Sequence, residues 1–384
     1  MSTDPATSIE AQDEDVRVST LELFFDLVFV FTITQLTATL EHHPTAEGLL
    51  QIVLMLIVIW WMYSGYAWLT NAIPPERAAR RLFLLGGMAC FLVISLAIPT
   101  TFSGDGVVFG VAYLVVICFH TGLYVGSPAW TTFGEVFRWE RLNLVAAAFI
   151  LAAGIVGDYG WGYALWVPAL ALIWVTPRVL GVEGDPIRSN SHFVERHGLV
   201  VIVALGESVV AVGIGASGQP LSVEMLAVAV LGLALSVGLW WTYFGGDGDE
   251  PDEALAAIPV ERKARHALNA YYYSHLLILL GIIADAAGLE RAIAHPFDPL
   301  AFGIALALGG GSACFFVGDV LFRRSLEMAH GSWRLVAAAL ALATVPLGTE
   351  GSALLQLAAL VVAVTGCLVA EHLPASRESV AESP

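Results

Sequence analysis

The chain alternates between long apolar stretches and short segments that hold most of its charged residues. A helix needs about 20 apolar residues to cross roughly 30 Å of hydrocarbon, and these stretches have that length. The pattern predicts about twelve membrane spans, at residues 20–40, 49–70, 80–101, 106–125, 141–158, 161–180, 192–214, 222–245, 266–288, 297–322, 332–348 and 351–371. The predicted fold class is therefore all-α, a polytopic membrane protein.

Two pairs of segments indicate an internal duplication. WWMYSGYAW (60–68) resembles WWTYFGG (240–246), and IPPERAAR (73–80) resembles IPVERKAR (258–265). Each pair occupies the same place, a helix end followed by a basic loop. The sequence therefore predicts two parallel six-helix repeats, at residues 20–185 and 186–372, between an acidic tail at 1–19 and a second tail at 373–384.

The composition agrees with a membrane protein, because 57% of the residues are hydrophobic and only 13% are charged. A soluble domain has about 25% charged residues. Basic loops resist translocation, and all of the 17 Lys and Arg residues except Arg291 fall on one predicted side of the membrane. Both termini are therefore predicted to be cytoplasmic.

Several function classes are disfavoured. There is no Walker A loop, dinucleotide fingerprint or nucleophile elbow. The net charge of −17 lies largely in the tails and in the segment 247–253, which makes nucleic-acid binding unfavourable. The four cysteines lie inside predicted spans without a CxxC pair, which is typical of buried small hydrophobic residues. We expect neither a metal nor a cofactor.

The first predicted span carries three polar side chains, Glu22, Asp26 and Gln35. The two carboxylates are four residues apart and so lie on one helix face. Carboxylates this close repel each other unless a cation lies between them. A transport role and a structural role, in which they cap the helix or pair with loop arginines near the surface, both remain open.

The seventh predicted span places Glu207 and Ser208 well inside an apolar helix. A charge there costs at least about 2.5–3.5 kcal/mol, so it needs a partner, a proton or water. Gly206 and Gly213 permit close helix approach. Glu207 is a candidate functional residue, and a purely structural hydrogen bond between helices is the alternative. His197 could be an interfacial histidine.

Other polar side chains at membrane depth are His120, His275, Asp285 and Asp319. Histidine titrates near neutral pH and a carboxylate can accept its proton, so this set could form a proton relay or a cation path. Each residue alone could also be a packed polar contact. Five tryptophans are expected in an aromatic belt at the cytoplasmic interface, namely Trp60, Trp61, Trp68, Trp240 and Trp241.

At LELFFDLVFVFTITQL (21–36) and RHGLVVIVALGESVVAVG (196–213), the sequence resembles the bacterial low temperature requirement A (LtrA) family. The resemblance extends over nearly the whole chain. It implies a multi-pass protein of the bacterial inner membrane, named for a requirement during growth in the cold. Its most recognisable polar positions are Glu22, Asp26, Gln35, Glu207 and Ser208. The family often has Phe where this chain has His197.

Three functions are consistent with these observations. The first is a secondary transporter or channel for a small cation or proton, because duplicated folds often place a binding site between their halves. The second is a membrane protein that does not transport and acts on membrane state or as a scaffold, because scaffolds can also be duplicated. The third and least favoured is an enzyme that modifies lipid within the membrane. An oligomer is compatible with all three.

Overall fold

The computed structural model describes residues 18–124, 133–157, 160–180, 187–245, 250–329 and 331–372 of the 384-residue chain. These residues form helices and connecting turns, with no strand among them. The all-α prediction is therefore confirmed. The predicted tails lie outside the described residues, except for residues 18 and 19.

Within these described ranges, fourteen α-helices follow one another. They are α1 Thr20–His42, α2 Ala46–Ala72, α3 Ala78–Ala97, α4 Gly106–Tyr124, α5 Phe133–Val156, α6 Trp161–Leu180, α7 Asn190–Ala216, α8 Val223–Phe244, α9 Glu250–Ala257, α10 Val260–Leu268, α11 His275–Ala294, α12 Phe302–Ser325, α13 Ser332–Ala343 and α14 Ala353–His372. A 3₁₀ turn, Ile98–Thr100, extends α3. Two π-helical segments, Asn269–Ser274 and Leu347–Gly351, precede α11 and α14.

Within the described residues, nine helices are long and apolar enough to cross a membrane. They are α1 to α4, α7, α8, α12, α13 with its π-helical extension, and α14. The other predicted spans coincide with α5, α6 and α11, and α11 carries Asp285, Glu290 and Arg291. The chain is thus a multi-pass membrane protein. Twelve spans and two six-helix repeats stay predictions.

Serine residues cap the first turns of α1 and α7. Ser19 caps α1, and its hydroxyl accepts a hydrogen bond from the Glu22 amide while the Glu22 side chain bonds back to the Ser19 amide. Ser189 caps α7 by accepting from the His192 amide. Such caps satisfy amide groups that have no partner in the first helical turn. They set the register in which α1 and α7 present their polar residues.

Helix α11 lies at the centre of the bundle and packs against α7, α12 and α1. Glycines allow this, because a Cβ at Gly281 would lie 2.7 Å from the Gly311 carbonyl oxygen. The prediction of close helix approach at Gly206 and Gly213 is wrong, since a Cβ at either position meets no atom within 4 Å. The cysteine prediction is also wrong for Cys118, which is exposed on the surface of the bundle.

We expect Gly281→Ala to destabilise the bundle, because its new methyl group would lie 2.6 Å from the Phe315 amide nitrogen. Overpacking of this kind costs about 1–3 kcal/mol. Gly213→Ala is the matched control, since it offers the same gain in helix propensity with open space around it. Thermal unfolding in detergent measures both variants. Equal unfolding temperatures would contradict the tight contact between α11 and α12.

Candidate functional site

A buried group of four charged or titratable side chains joins α1 to α7. Glu22 and Asp26 come from α1, and His192 and Arg196 come from α7; we call these four residues the ionic cluster. Arg196 places Nη1 3.0 Å from Glu22 Oε1 and Nη2 3.0 Å from Asp26 Oδ1. Each side chain is at most 3% exposed. Both pairs are spaced four residues apart, so each helix presents one polar face to the other.

Hydrogen bonds from neighbouring residues hold Glu22 and His192. The Ser19 amide and hydroxyl donate to Glu22 Oε2 at 2.9 and 2.8 Å. His192 Nε2 lies 3.3 Å from the same oxygen. Asn71 of α2 donates to His192 Nδ1 at 3.2 Å, and the Asn71 amide is oriented by the Arg188 amide and the Ser189 carbonyl. His192 therefore donates through Nε2 and accepts through Nδ1, the pattern of a neutral imidazole.

Asp26 is less completely paired than Glu22. Tyr63 of α2 donates its hydroxyl hydrogen to Asp26 Oδ1, the oxygen that also contacts Arg196. Asp26 Oδ2 is buried and accepts no hydrogen bond from the described residues. The guanidinium of Arg196 lies 5.8 Å from the Phe25 ring centroid and 5.9 Å from that of Tyr63. Two neighbouring aromatic rings, whose centroids are 5.5 Å apart, therefore lie within cation–π range of the guanidinium.

The charges of the ionic cluster do not cancel. Two carboxylates carry −2, one guanidinium carries +1, and neutral His192 adds nothing, so the formal sum is −1. A net charge in a low-dielectric environment is costly. One further positive charge would bring the net charge of the cluster to zero. Asp26 Oδ2 is the atom that is available to receive such a charge. A proton bound to this oxygen would make the cluster neutral.

The residues that contact each other in the ionic cluster are separated by the same number of positions in the sequence. Glu22 contacts His192, and Asp26 contacts Arg196, each across 170 positions. The capping serines at positions 19 and 189 keep the same separation. Helices α1 and α7 therefore meet with matching positions opposite each other.

Next to the cluster lies a layer of aromatic rings and histidines. Trp60 of α2 stacks on Tyr63 and on His275, with ring centroids 5.2 and 6.3 Å apart. Its indole nitrogen donates to the Tyr272 carbonyl oxygen in the π-helical segment, at 3.1 Å. Trp60 is thus fully buried, and its expected place in an interfacial belt is wrong. Trp240 and Trp241 are 40% and 48% exposed and remain compatible with such a belt.

His275 uses both ring nitrogens within this layer. Its Nδ1 donates to the Ala270 carbonyl, five residues earlier, at 2.8 Å. Its Nε2 accepts from the Tyr243 hydroxyl at 2.8 Å. His197 donates through Nδ1 to the Phe193 carbonyl at 2.8 Å, and its Nε2 is buried without a hydrogen-bond partner among the described residues. His197 is fully buried inside the bundle, and its place near the cytoplasmic interface stays a prediction.

The predicted polar residues deeper in the bundle make separate contacts. Glu207 is 3% exposed and accepts a hydrogen bond from Thr34 of α1 at 2.6 Å. Asp285 accepts from Ser312 of α12 at 3.0 and 3.2 Å. Ser208 is buried and Gln35 is half-buried. Within the described part of the chain, Glu207 shares no hydrogen bond or ion pair with Asp26 or His275.

Further ion pairs tie helix ends together. Asp319 of α12 bonds Arg334 of α13, and Arg334 also contacts Glu371 of α14 at 3.1 Å. His120 of α4 lies 2.8 Å from Glu140 of α5. The candidates Asp319 and His120 are therefore held by a charged partner on the next helix. These contacts lie apart from the ionic cluster.

Sequence reasoning missed half of the ionic cluster. Arg196 counted only as a loop cation, and His192, Tyr63 and Asn71 were not identified as candidates. A signal was available, because S-x-x-E-x-x-x-D from residue 19 has the spacing of S-x-x-H-x-x-x-R from residue 189. Within the described residues, no group of three or more His, Cys, Asp or Glu side chains could hold a metal ion.

Comparison with known proteins identifies related sequences. The family model for the bacterial low temperature requirement A protein matches residues 17–370. An uncharacterized protein of Rhizobium meliloti (strain 1021) is 29% identical over 333 residues, which cover 81% of this chain and 78% of that protein. No solved structure matches the chain. These descriptions state no reaction or substrate.

We expect Arg196→Gln to lower the free energy of unfolding by about 3–5 kcal/mol, because it leaves two buried carboxylates without their counter-ion. Arg324→Gln is the control, since Arg324 is exposed on α12. Adding Glu22→Gln and Asp26→Asn to Arg196→Gln removes all three charges and should recover most of the loss. Denaturant unfolding in detergent measures the series. An Arg196→Gln variant as stable as Arg324→Gln would refute this assignment.

Proposed function

The chain belongs to the bacterial low temperature requirement A (LtrA) family, and we propose that it is a secondary transporter or channel for a small cation or proton. The observation that carries this proposal is the formal charge of −1 in the ionic cluster, together with the unpaired Asp26 Oδ2. A proton on Asp26, or one small cation beside it, would make the cluster neutral. Charged groups at membrane depth commonly mark ion or proton pathways.

Carboxylates recur along the contact between α1, α7 and α11, and the proposed pathway follows this contact through the bundle. Glu207 lies eleven residues beyond Arg196, about 16 Å further along α7 at 1.5 Å per residue. Beyond Glu207, Glu41 at the end of α1 lies 2.8 Å from Arg291 of α11. A cation or proton would thus meet acidic groups at three levels.

The proposed architecture of two parallel repeats suits such a pathway, because transporters commonly bind their substrate between repeats. Three observations support the repeats. Matching positions of α1 and α7 meet across 170 residues. The contact of α1 with α3 is paralleled by that of α7 with α11, and the contact of α2 with α6 by that of α8 with α14. The segments IPPERAAR and IPVERKAR occupy corresponding loops.

The proposed orientation places both termini in the cytoplasm of a bacterium, with the protein in the inner membrane. Its support is the distribution of Lys and Arg, of which only Arg291 falls in a segment predicted to lie outside. The end of the bundle that holds Arg196, Arg323 and Arg334 would then be cytoplasmic. Arg291 and its partner Glu41 would lie at the opposite end.

One observation favours the alternative of a membrane protein that does not transport. Glu207 has Thr34 as its hydrogen-bond partner, and Asp285 has Ser312. Each contact joins two helices and could serve stability alone. In that case the acidic residues would fix the packing of a scaffold, and no ion would cross the membrane through them.

Purified protein in liposomes should pass protons, potassium or sodium down an imposed gradient. We expect Asp26→Asn to reduce the flux at least about tenfold, because it neutralises the cluster without a bound cation. Glu207→Gln should also reduce it. Glu261→Gln is the control, since Glu261 is exposed on α10. A pH-sensitive dye and ion-selective electrodes read the fluxes, and thermal unfolding confirms that each variant is folded.

The possible outcomes separate the two functions. Loss of flux in Asp26→Asn with normal flux in Glu261→Gln supports the pathway. No flux of the unsubstituted protein under any gradient favours the alternative that does not transport. Equal flux in Asp26→Asn and Glu261→Gln would exclude the ionic cluster from the pathway.

A further inference from the structure

A cavity of about 200 Å³ lies between the ends of α7, α8, α9 and α12, on the side of the bundle away from α1. Its walls are largely apolar and include Leu199 and Ile202 of α7 and Phe244 of α8. Three charged residues, Glu195, Glu250 and Arg323, stand around it. The cavity thus combines charged groups with an apolar wall at one end of the helix bundle.

Arg323, which lines this cavity, makes only long contacts with its carboxylate partners. Its Nη1 lies 3.4 Å from Glu250 and its Nε lies 3.7 Å from Asp319. Charge-assisted hydrogen bonds are usually about 2.7–2.9 Å long. Asp319 is already bonded by Arg334. Arg323 lines the cavity, is 8% exposed, and makes no ion-pair contact shorter than 3.4 Å among the described residues. This buried cation can therefore accept an anionic group that enters the cavity.

The acidic residues around the cavity indicate that the ligand also carries a cationic group. Glu195 is exposed, and Glu250 is half-buried. With Arg323, they give the cavity a formal charge of −1, from two carboxylates and one guanidinium. A ligand with only a phosphate would bring more negative charge to this wall. A ligand with both a phosphate and an ammonium group would meet a complementary charge at each end.

The geometry points to a binding site for one phospholipid with an amine-containing headgroup. Its phosphate would bind Arg323, its ammonium group would donate hydrogen bonds to Glu195 and Glu250, and its acyl chains would follow the apolar wall into the bilayer. Ile202 lies seven residues beyond Glu195 on α7, about 10 Å deeper. The charged and apolar parts of the cavity are thus spaced as headgroup and acyl chain are in a membrane.

The size of the cavity agrees with a ligand that is only partly enclosed. Pockets that bury a whole drug-sized ligand occupy about 300–1,000 Å³, whereas this one has about 200 Å³. It can enclose a headgroup while the acyl chains remain among the other lipids. A free phosphate or a soluble amine would leave the apolar wall unused. This inference does not depend on the proposed transport.

The test measures which lipid the full-length protein retains. The protein is reconstituted in nanodiscs with equal amounts of phosphatidylethanolamine and phosphatidylglycerol of the same acyl chains. It is then released into detergent and examined by native mass spectrometry. We expect one phosphatidylethanolamine per protein, with a preference of about tenfold over phosphatidylglycerol, which corresponds to about 1.4 kcal/mol.

Two glycines of α7 provide a matched pair of variants. A Cβ at Gly198 would lie 3.5 Å from the Phe244 ring, so Gly198→Leu fills the cavity without a clash at Cβ. Gly213→Leu adds the same side chain where no atom lies within 4 Å. Gly198→Leu should lose the retained lipid, and Gly213→Leu should keep it. Glu195→Gln should reduce the preference for phosphatidylethanolamine, and Arg323→Gln should weaken retention of both lipids.

Three results would overturn the proposal. One is that the unsubstituted protein retains no lipid. Another is that it retains both lipids equally. The third is that Gly198→Leu and Gly213→Leu retain the same amount of phosphatidylethanolamine. Because the glycine pair leaves every charged residue in place, a folding defect in Arg323→Gln does not affect the conclusion.

Discussion

The ion pairs of Arg196 with Glu22 and Asp26 are the interaction on which the arrangement of this bundle depends. Inside a membrane, water does not compensate a charge, so each charged group must find its partner within the protein. Arg196 supplies one cation to two carboxylates on α1. Tyr63 adds a hydroxyl from α2. Three helices are thereby held in one register, and the layer that contains Trp60 and His275 packs directly beside them.

The incomplete charge balance connects this packing to function. A pair that served only stability would be best with equal numbers of positive and negative groups. Here two carboxylate oxygens, Glu22 Oε1 and Asp26 Oδ2, accept no hydrogen bond from the described residues, and only Glu22 Oε1 keeps an ion-pair contact with Arg196. The same helices carry Glu207 further along α7 and Glu41 at the far end of α1, so carboxyl groups recur along one helix contact through the bundle. The proposed transport of a cation or proton rests on that continuity.

Local patterns in the sequence predicted the features that depend on neighbouring residues, namely where helices lie and which residues share a helix face. Apolar length located the helices, and the spacing of Glu22 and Asp26 placed them correctly on one face. The predictions that were wrong or missing concern how the helices pack against each other. Arg196 follows a loop in the sequence, yet it is buried because α1 covers that part of α7. Trp60 is hidden by the helices around it, and Gly206 and Gly213 face outward. A single sequence does not determine which helix faces pack against each other.

The constant separation of 170 positions has a consequence for the history of the chain. In a symmetric pair of identical subunits, a residue at the axis meets its own copy. Two copies of the first half would place Glu22 and Asp26 against themselves, with four carboxylates and no cation. Two copies of the second half would oppose arginine to arginine. Under the proposed duplication, the acid–base pairs seen here require two halves of different sequence, and an assembly of identical halves could not form them.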